Sequence, residues 1–185
     1  MNICDIYEIA GIKELPVNPA KAASALEIKI VSYNSMCEVY ETEMRDLYEK
    51  SPCGFAFREN NRFVIAINEN SCGERRRRFT IAHELGHCVL GHVQNLEEKS
   101  ALSDFEERRA DKFAADFLAP LPVLILCTAE SPDEIKKLCG ISNQAAEIRF
   151  NELVKLMRSR LLLSPENRRL AELFADFIER YRDGK

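Results

Sequence analysis

A chain of 185 residues with 46% hydrophobic and 30% charged side chains has the size and apolar content for a real core and the polarity of an ordinary soluble globular protein. The net charge of -4 gives no reason to expect general nucleic-acid binding. No uninterrupted apolar run is long enough to span a bilayer, and no basic segment leading into an apolar one marks a signal peptide. The seven cysteines are odd in number, scattered, and form no C-x-x-C pair, so reduced thiols in a cytoplasmic protein are expected rather than disulfides or a cysteine zinc site.

Residues Met1 to Leu15 carry little signal. Pro16-Val17-Asn18-Pro19 looks like the start of a helix, with Asn18 as N-cap and Pro19 at the first helical position, leading into a short helix from Ala20 to Leu26. Glu27 to Tyr33 partly alternates and reads as a strand. Glu38 to Lys50 reads as a polar helix with Val39, Met44, Leu47 and Tyr48 on its apolar side, broken by Ser51-Pro52. Strands over Gly54 to Arg58 and Arg62 to Asn68, with Glu59-Asn60-Asn61 as the turn, form an expected antiparallel hairpin.

The next stretch carries the chemistry. Arg76-Arg77-Arg78-Phe79-Thr80-Ile81-Ala82-His83-Glu84-Leu85-Gly86-His87 contains His-Glu-x-x-His, two of the chain's three histidines with a glutamate between them. A helix turns about 100° per residue, so His83 and His87 sit about 40° apart on one face, one turn above the other. Two imidazoles so placed can bind one tetrahedral zinc ion, and Glu84, one step round, can act as a base without becoming a ligand. Phe79, Ala82, Leu85 and Val89 recur at helical spacing, and Glu74 suits the positive helix start. The run Arg75 to Arg78 could form a basic patch for nucleic acid, but a single short charge run reads better as a solvated helix turn. Arg76, seven residues before His83, lies within about 20° of it, so Arg76 and the nearby Thr80 are candidates for binding a peptide carbonyl or carboxylate. Gly91 is expected to end the helix. His92 lies about 180° from His83 if the helix continued, which opposes a ligand role and leaves a partly exposed histidine beyond the helix end.

A third ligand must then come from elsewhere. Ser103 or Asp104 can cap a helix running to about Ala119, before Pro120. Glu107, Asp111, Ala114 and Leu118 share one face of it. Glu107 can bind zinc while Asp111 accepts the free N–H of a ligand histidine. Glu106, about 100° round the helix, remains the alternative ligand on spacing alone.

These residues resemble a known family. Residues 77 to 87, together with the run from Glu107 through Arg108-Arg109-Ala110-Asp111 to Pro120, are similar to the ImmA/IrrE family of zinc endopeptidases, and the hairpin and the segment Pro16 to Pro19 fit the same pattern. The resemblance covers most of Pro16 to Pro120. It implies one Zn2+ ion held by His83, His87 and Glu107, with Glu84 catalytic. Two positions depart from the pattern: Arg109 stands where a second acidic residue is common, and Ala119 where a methionine usually precedes the proline. Neither carries the expected zinc chemistry.

After Pro122 the chain turns helical. Asp133 to Leu138, Gly140-Ile141-Ser142 and Asn143 to Met157 have the layout of a helix-turn-helix, but the second helix is largely apolar and poor in basic residues. A packing or substrate-recognition role is therefore favoured over DNA binding. Pro165 to Tyr181 reads as a last helix.

The expected fold is α+β. A small zincin-like metallopeptidase domain over residues 1–122 has an antiparallel sheet packed on the His-Glu-x-x-His helix, and a helical region over 123–185 packs on it. The resemblance implies an endopeptidase whose substrate is a regulatory protein such as a helix-turn-helix repressor, while the charge and the lack of a long apolar run lead us to expect no direct nucleic-acid partner and no membrane. A non-catalytic antirepressor acting by protein binding, and a DNA-binding regulator using residues 133–157, are the alternatives.

Overall fold

The computed structural model describes residues 1–70, 73–93, 96, 102–158 and 164–184. They divide into two compact units, Pro19–Ala114 and a second made of Met1–Asn18 with Ala115–Lys185.

In the unit Pro19–Ala114, helix α2 (Pro19–Ala25) leads into strand β1 (Lys29–Ser32). Two helices follow, α3 (Tyr33–Tyr40) and α4 (Met44–Lys50), where the apolar spacing predicts one. Glu41 explains the break: it adopts the left-handed conformation at φ 49°, which ends α3, and Glu43 then opens α4. The hairpin is as expected, with β2 (Gly54–Glu59) antiparallel to β3 (Arg62–Ile67). Asn60 and Asn61 both take positive φ at its two-residue turn, a conformation asparagine tolerates well. The sheet is not purely antiparallel, however. Its order is β1-β3-β2 and β1 runs parallel to β3, with Ile30 opposite Ile65. Parallel neighbours need a crossover, and α3, α4 and β2 supply it.

The period of two then sorts the side chains. Phe55, Phe57, Val64 and Ala66 point to one face, where Tyr33 and Met36 of α3 and Leu47 of α4 close a buried cluster over them. Gly54, Ala56, Ile65 and Ile67 take the other face, against helix α5 (Glu74–Leu90). Gly54 is required there: a Cβ would lie 2.8 Å from both the Ala66 carbonyl oxygen and the Thr80 methyl. Helix α6 (Asp104–Leu118) contributes its residues through Ala114 to this unit.

In the second unit, helix α1 (Ile3–Ala10) is fixed by an Asn2–Asp5 capping box and by Gly11 in the left-handed conformation. Tyr7 is fully buried, its hydroxyl donating to the Phe117 carbonyl and its ring 5.1 Å from Phe117 and 5.4 Å from Phe174. Helices α7 (Leu121–Leu126), α8 (Pro132–Cys139) and α9 (Asn143–Met157) follow, with Gly140 turning the chain between the last two. The final helical stretch is two helices, α10 (Pro165–Leu173) and α11 (Ala175–Asp183), separated at Phe174, which is itself buried. Arg169 of α10 ties back to Asp5 and Glu8 of α1.

Arg149 is the polar centre of α9. It is 2% exposed, donates to the Ala119 carbonyl from Nε at 3.1 Å, and pairs with Asp116 at 2.9 Å and with Glu152. Arg149→Met should therefore cost about 3 kcal/mol, because it strips a buried carbonyl and two carboxylates of the same cation. Urea denaturation would measure it, and a loss within error of zero would show that the pairing carries no net stability.

Candidate metal centre

Seventeen residues of α5 run from the Gly73 N-cap to Gly91. The helix packs its middle against β2 and β3, which buries Ile81, Ala82, Leu85 and Cys88 and holds the His-Glu-x-x-His segment rigidly. The His83 and His87 rings meet edge to face one turn apart with centroids at 4.7 Å, and their Nε2 atoms lie 3.0 Å from each other.

Helix α6 brings the carboxylates. Ser103 and Glu106 form a reciprocal cap: Glu106 Oε2 accepts from the Ser103 backbone N–H and hydroxyl, both at 2.8 Å, and the Ser103 hydroxyl accepts from the Glu106 N–H at 3.3 Å. These bonds hold the Glu106 carboxyl below the usual range. Glu107 points instead to the histidines, with Oε2 3.3 Å from His83 Nε2 and Oε1 3.7 Å from His87 Nε2. Asp111, one turn on, places Oδ1 2.9 Å from His83 Nδ1. If His83 donates Nδ1–H to that carboxylate, its Nε2 lone pair is left facing Glu107 and His87.

The donor set fits a metal. His83, His87 and Glu107 offer ligand atoms that all lie within 4.8 Å of one another. Tetrahedral legs of about 2.0–2.1 Å need ligand atoms about 3.3–3.4 Å apart. The distances of 3.0, 3.3 and 3.7 Å scatter around that value. Burial, aided by the neighbouring His83 and His92 rings, pushes His87 down to about 4, so the ring is neutral and has a lone pair near neutral pH.

Glu84 faces β2. It is 8% exposed, and burial pushes its carboxyl up to about 8, opposed by a hydrogen bond from the Ala56 backbone and reinforced by the Glu107 carboxylate. The hairpin register explains why Ala56 can donate. The Asn68 N–H bonds the Cys53 carbonyl at 2.9 Å, so odd-numbered residues of β2 bond inward to β3 while Gly54, Ala56 and Arg58 turn their backbone groups outward. The outward Gly54 N–H goes to the Ser51 hydroxyl at 3.2 Å. The edge of β2 thus runs beside Glu84. Nothing in the sequence alone marks that contact, because it depends on the register.

The remaining site candidates are placed differently. Arg76 is exposed on the first turns of α5. Thr80 is 7% exposed, donates its hydroxyl to the Arg76 carbonyl at 3.1 Å and turns its methyl to Gly54, so it packs the helix onto the sheet. His92 is 8% exposed, not a partly exposed residue, and its Nδ1 lies 3.1 Å from His87 Nδ1.

The two site helices touch closely at Gly86. A Cβ there would lie 2.9 Å from the Phe113 ring and 3.3 Å from Phe113 Cβ. Gly86→Ala should push α6 off α5, lowering stability by about 1–3 kcal/mol and weakening metal binding through displacement of Glu107. Chelator competition beside thermal melting checks this. Unchanged metal affinity would show that Phe113 yields without moving α6.

The family profile described as the IrrE N-terminal-like domain matches residues 44–151, a span that includes the hairpin, α5 and α6. The chain belongs to the ImmA/IrrE family. Its matched region is a peptidase domain, and the His-His-Glu cluster of this ImmA/IrrE member suits the metal dependence of that family. No curated protein matches the chain.

Proposed function

We propose that this chain is a zinc-dependent endopeptidase of the zincin-like kind that cleaves a regulatory protein, a helix-turn-helix repressor being the class we favour. The observation that carries the proposal is the convergence of His83, His87 and Glu107 on one point, with the buried Glu84 carboxyl beside the outward edge of β2. His83, His87 and Glu107 would hold the ion, and Asp111 would orient His83. Bound there, zinc supplies Lewis acidity, polarising a peptide carbonyl, making a water acidic near neutral pH and lowering the pKa of Glu84.

The protein's own groups do the rest. An extended substrate segment adds to the β2 edge, where Arg58 and the residues around it offer outward backbone groups. Strand addition holds the scissile peptide close to Glu84. Glu84 takes the proton released as water attacks the carbonyl and returns it to the leaving nitrogen. The Ala56 N–H keeps one carboxyl oxygen in place meanwhile. The exposed Arg76 lies near enough in helical phase to His83 to contact substrate.

Repressors suit such an edge, since their linkers between domains can extend. Cleavage relieves repression without the enzyme touching DNA. Arg149, an arginine of the helix-turn-helix-like segment, faces inward to Asp116 and Glu152 and brings no charge to the surface of α9. Among the described residues no helix is long and apolar enough to cross a membrane. The described cysteines are free thiols, in keeping with a cytoplasmic setting, and Cys72 lies outside the described residues.

Incubating the zinc-loaded protein with helix-turn-helix repressors from the same genome, and reading the fragments by mass spectrometry, tests the proposal. A defined cut that a chelator prevents is the expected result. Derepression with repressor of unchanged length would replace it with the antirepressor alternative, and salt-sensitive duplex binding by residues 133–157 would favour the DNA-binding one.

A further inference from the structure

We propose that His92 is a positioning residue that holds His87 in the tautomer able to bind metal through Nε2. The inference deepens the peptidase proposal and rests on its metal site. Gly91 takes the left-handed conformation at φ 79°, its N–H donates to the Cys88 carbonyl, and the His92 N–H reaches back to the His87 carbonyl at 3.0 Å. This is a Schellman turn, which folds the residue after the glycine back onto the side chain near the helix end. The pair so joined is commonly apolar. Here it is two imidazoles, with ring centroids 5.3 Å apart and Nδ1 atoms at 3.1 Å.

The proton between them has a direction. A neutral His87 that presents the Nε2 lone pair must carry its hydrogen on Nδ1. That hydrogen can only be donated to a bare Nδ1 on His92, so His92 must carry its own hydrogen on Nε2. His92 Nε2 is buried, with no hydrogen-bond partner among the described residues. Packing alone gives no reason for that atom, because a leucine would fill the space without an unsatisfied N–H. The acceptor at Nδ1 gives a reason. Asp111 serves His83 in the same way from α6, so each histidine of the pair has an orienting partner, one carboxylate and one imidazole.

Zinc affinity by chelator competition, for the wild type, His92→Leu and His92→Asn, tests the role together with melting of the metal-free proteins. Losing an orienting partner weakens metal binding by about 10–100-fold. His92→Leu should show that loss with metal-free melting at or above wild type. His92→Asn, whose amide oxygen stands in for Nδ1, should bind within about threefold of wild type. In the zinc-loaded wild type, imidazole nitrogen NMR should find His92 protonated at Nε2. Equal zinc affinity for His92→Leu and wild type overturns the role. So does an His92→Asn variant as weak as His92→Leu, or an Nδ1-protonated His92 in the loaded protein. The NMR result decides the matter should His92→Leu fail to fold. A wild type that binds no zinc is a separate outcome, which removes the metal site itself and this role with it.

Discussion

Glu84→Gln is expected to abolish peptide cleavage, by about 10²–10⁴-fold or more, while zinc content stays at the wild-type level. The two readouts separate because Glu84 is not among the three proposed ligands, yet lies one step along the helix from His83. Glutamine matches glutamate in shape, and its amide oxygen can still accept the Ala56 N–H, so the helix and the β2 edge stay as they are. The same variant makes a second, opposite prediction for stability. The carboxyl is raised from its ordinary 4.5 to about 8, chiefly by burial. A raised pKa means the folded state prefers the protonated form. The stabilisation is complete below pH 4.5 and is lost as pH rises through about 8. Glutamine does not ionise and escapes that loss. With metal stripped from both proteins, the melting temperature of Glu84→Gln should therefore gain on wild type as pH rises across this window. Cleavage by Glu84→Gln at the wild-type rate would remove Glu84 from the mechanism, and a pH-independent gap in melting would show that its burial does not govern its charge.

The chemistry of the site was more legible in the sequence than its support. His83 and His87 announce themselves because four residues make about one helical turn, so spacing alone places both rings on one face. Asp111 follows from the same arithmetic applied to α6. Glu106 and Glu107 differ by a single helical step, and spacing left both open; what separates them in space is Ser103, whose cap occupies Glu106. The parallel pairing of β1 with β3 is invisible locally, because the partners are separated by two helices and a strand. Helix breaks at Glu41 and Phe174 escape for another reason: neither is proline or glycine, the residues that punctuate a helix in sequence. His92 shows the limit of extrapolating a helix. Its phase, about 180° from His83, holds only if the helix continues. Gly91 marks the stop in the sequence, but a stop of the Schellman kind also reverses the chain, and that reversal delivers His92 to His87.

Glu107→Ala should strip the protein of zinc, whereas Glu106→Ala should leave it bound. Zinc held by four ligands is typically worth about 10–16 kcal/mol, so losing one ligand's share weakens binding roughly a hundred- to a thousandfold. In a metal buffer that holds free zinc between the two affinities, that difference is full occupancy against near emptiness. The neighbouring carboxylates are a matched control. Both sit in the first turn of α6 and are exposed enough to mutate without leaving a cavity. They differ in where they point: Glu107 to within 3.3 Å of His83 Nε2, Glu106 to the Ser103 cap. Glu106→Ala should accordingly loosen the start of α6, visible as faster amide exchange there, and leave cleavage close to wild type. Zinc retained by Glu107→Ala would mean that the third ligand lies elsewhere. Zinc lost by Glu106→Ala alone would mean that the cap releases its carboxylate to the metal, exchanging the roles of the two residues.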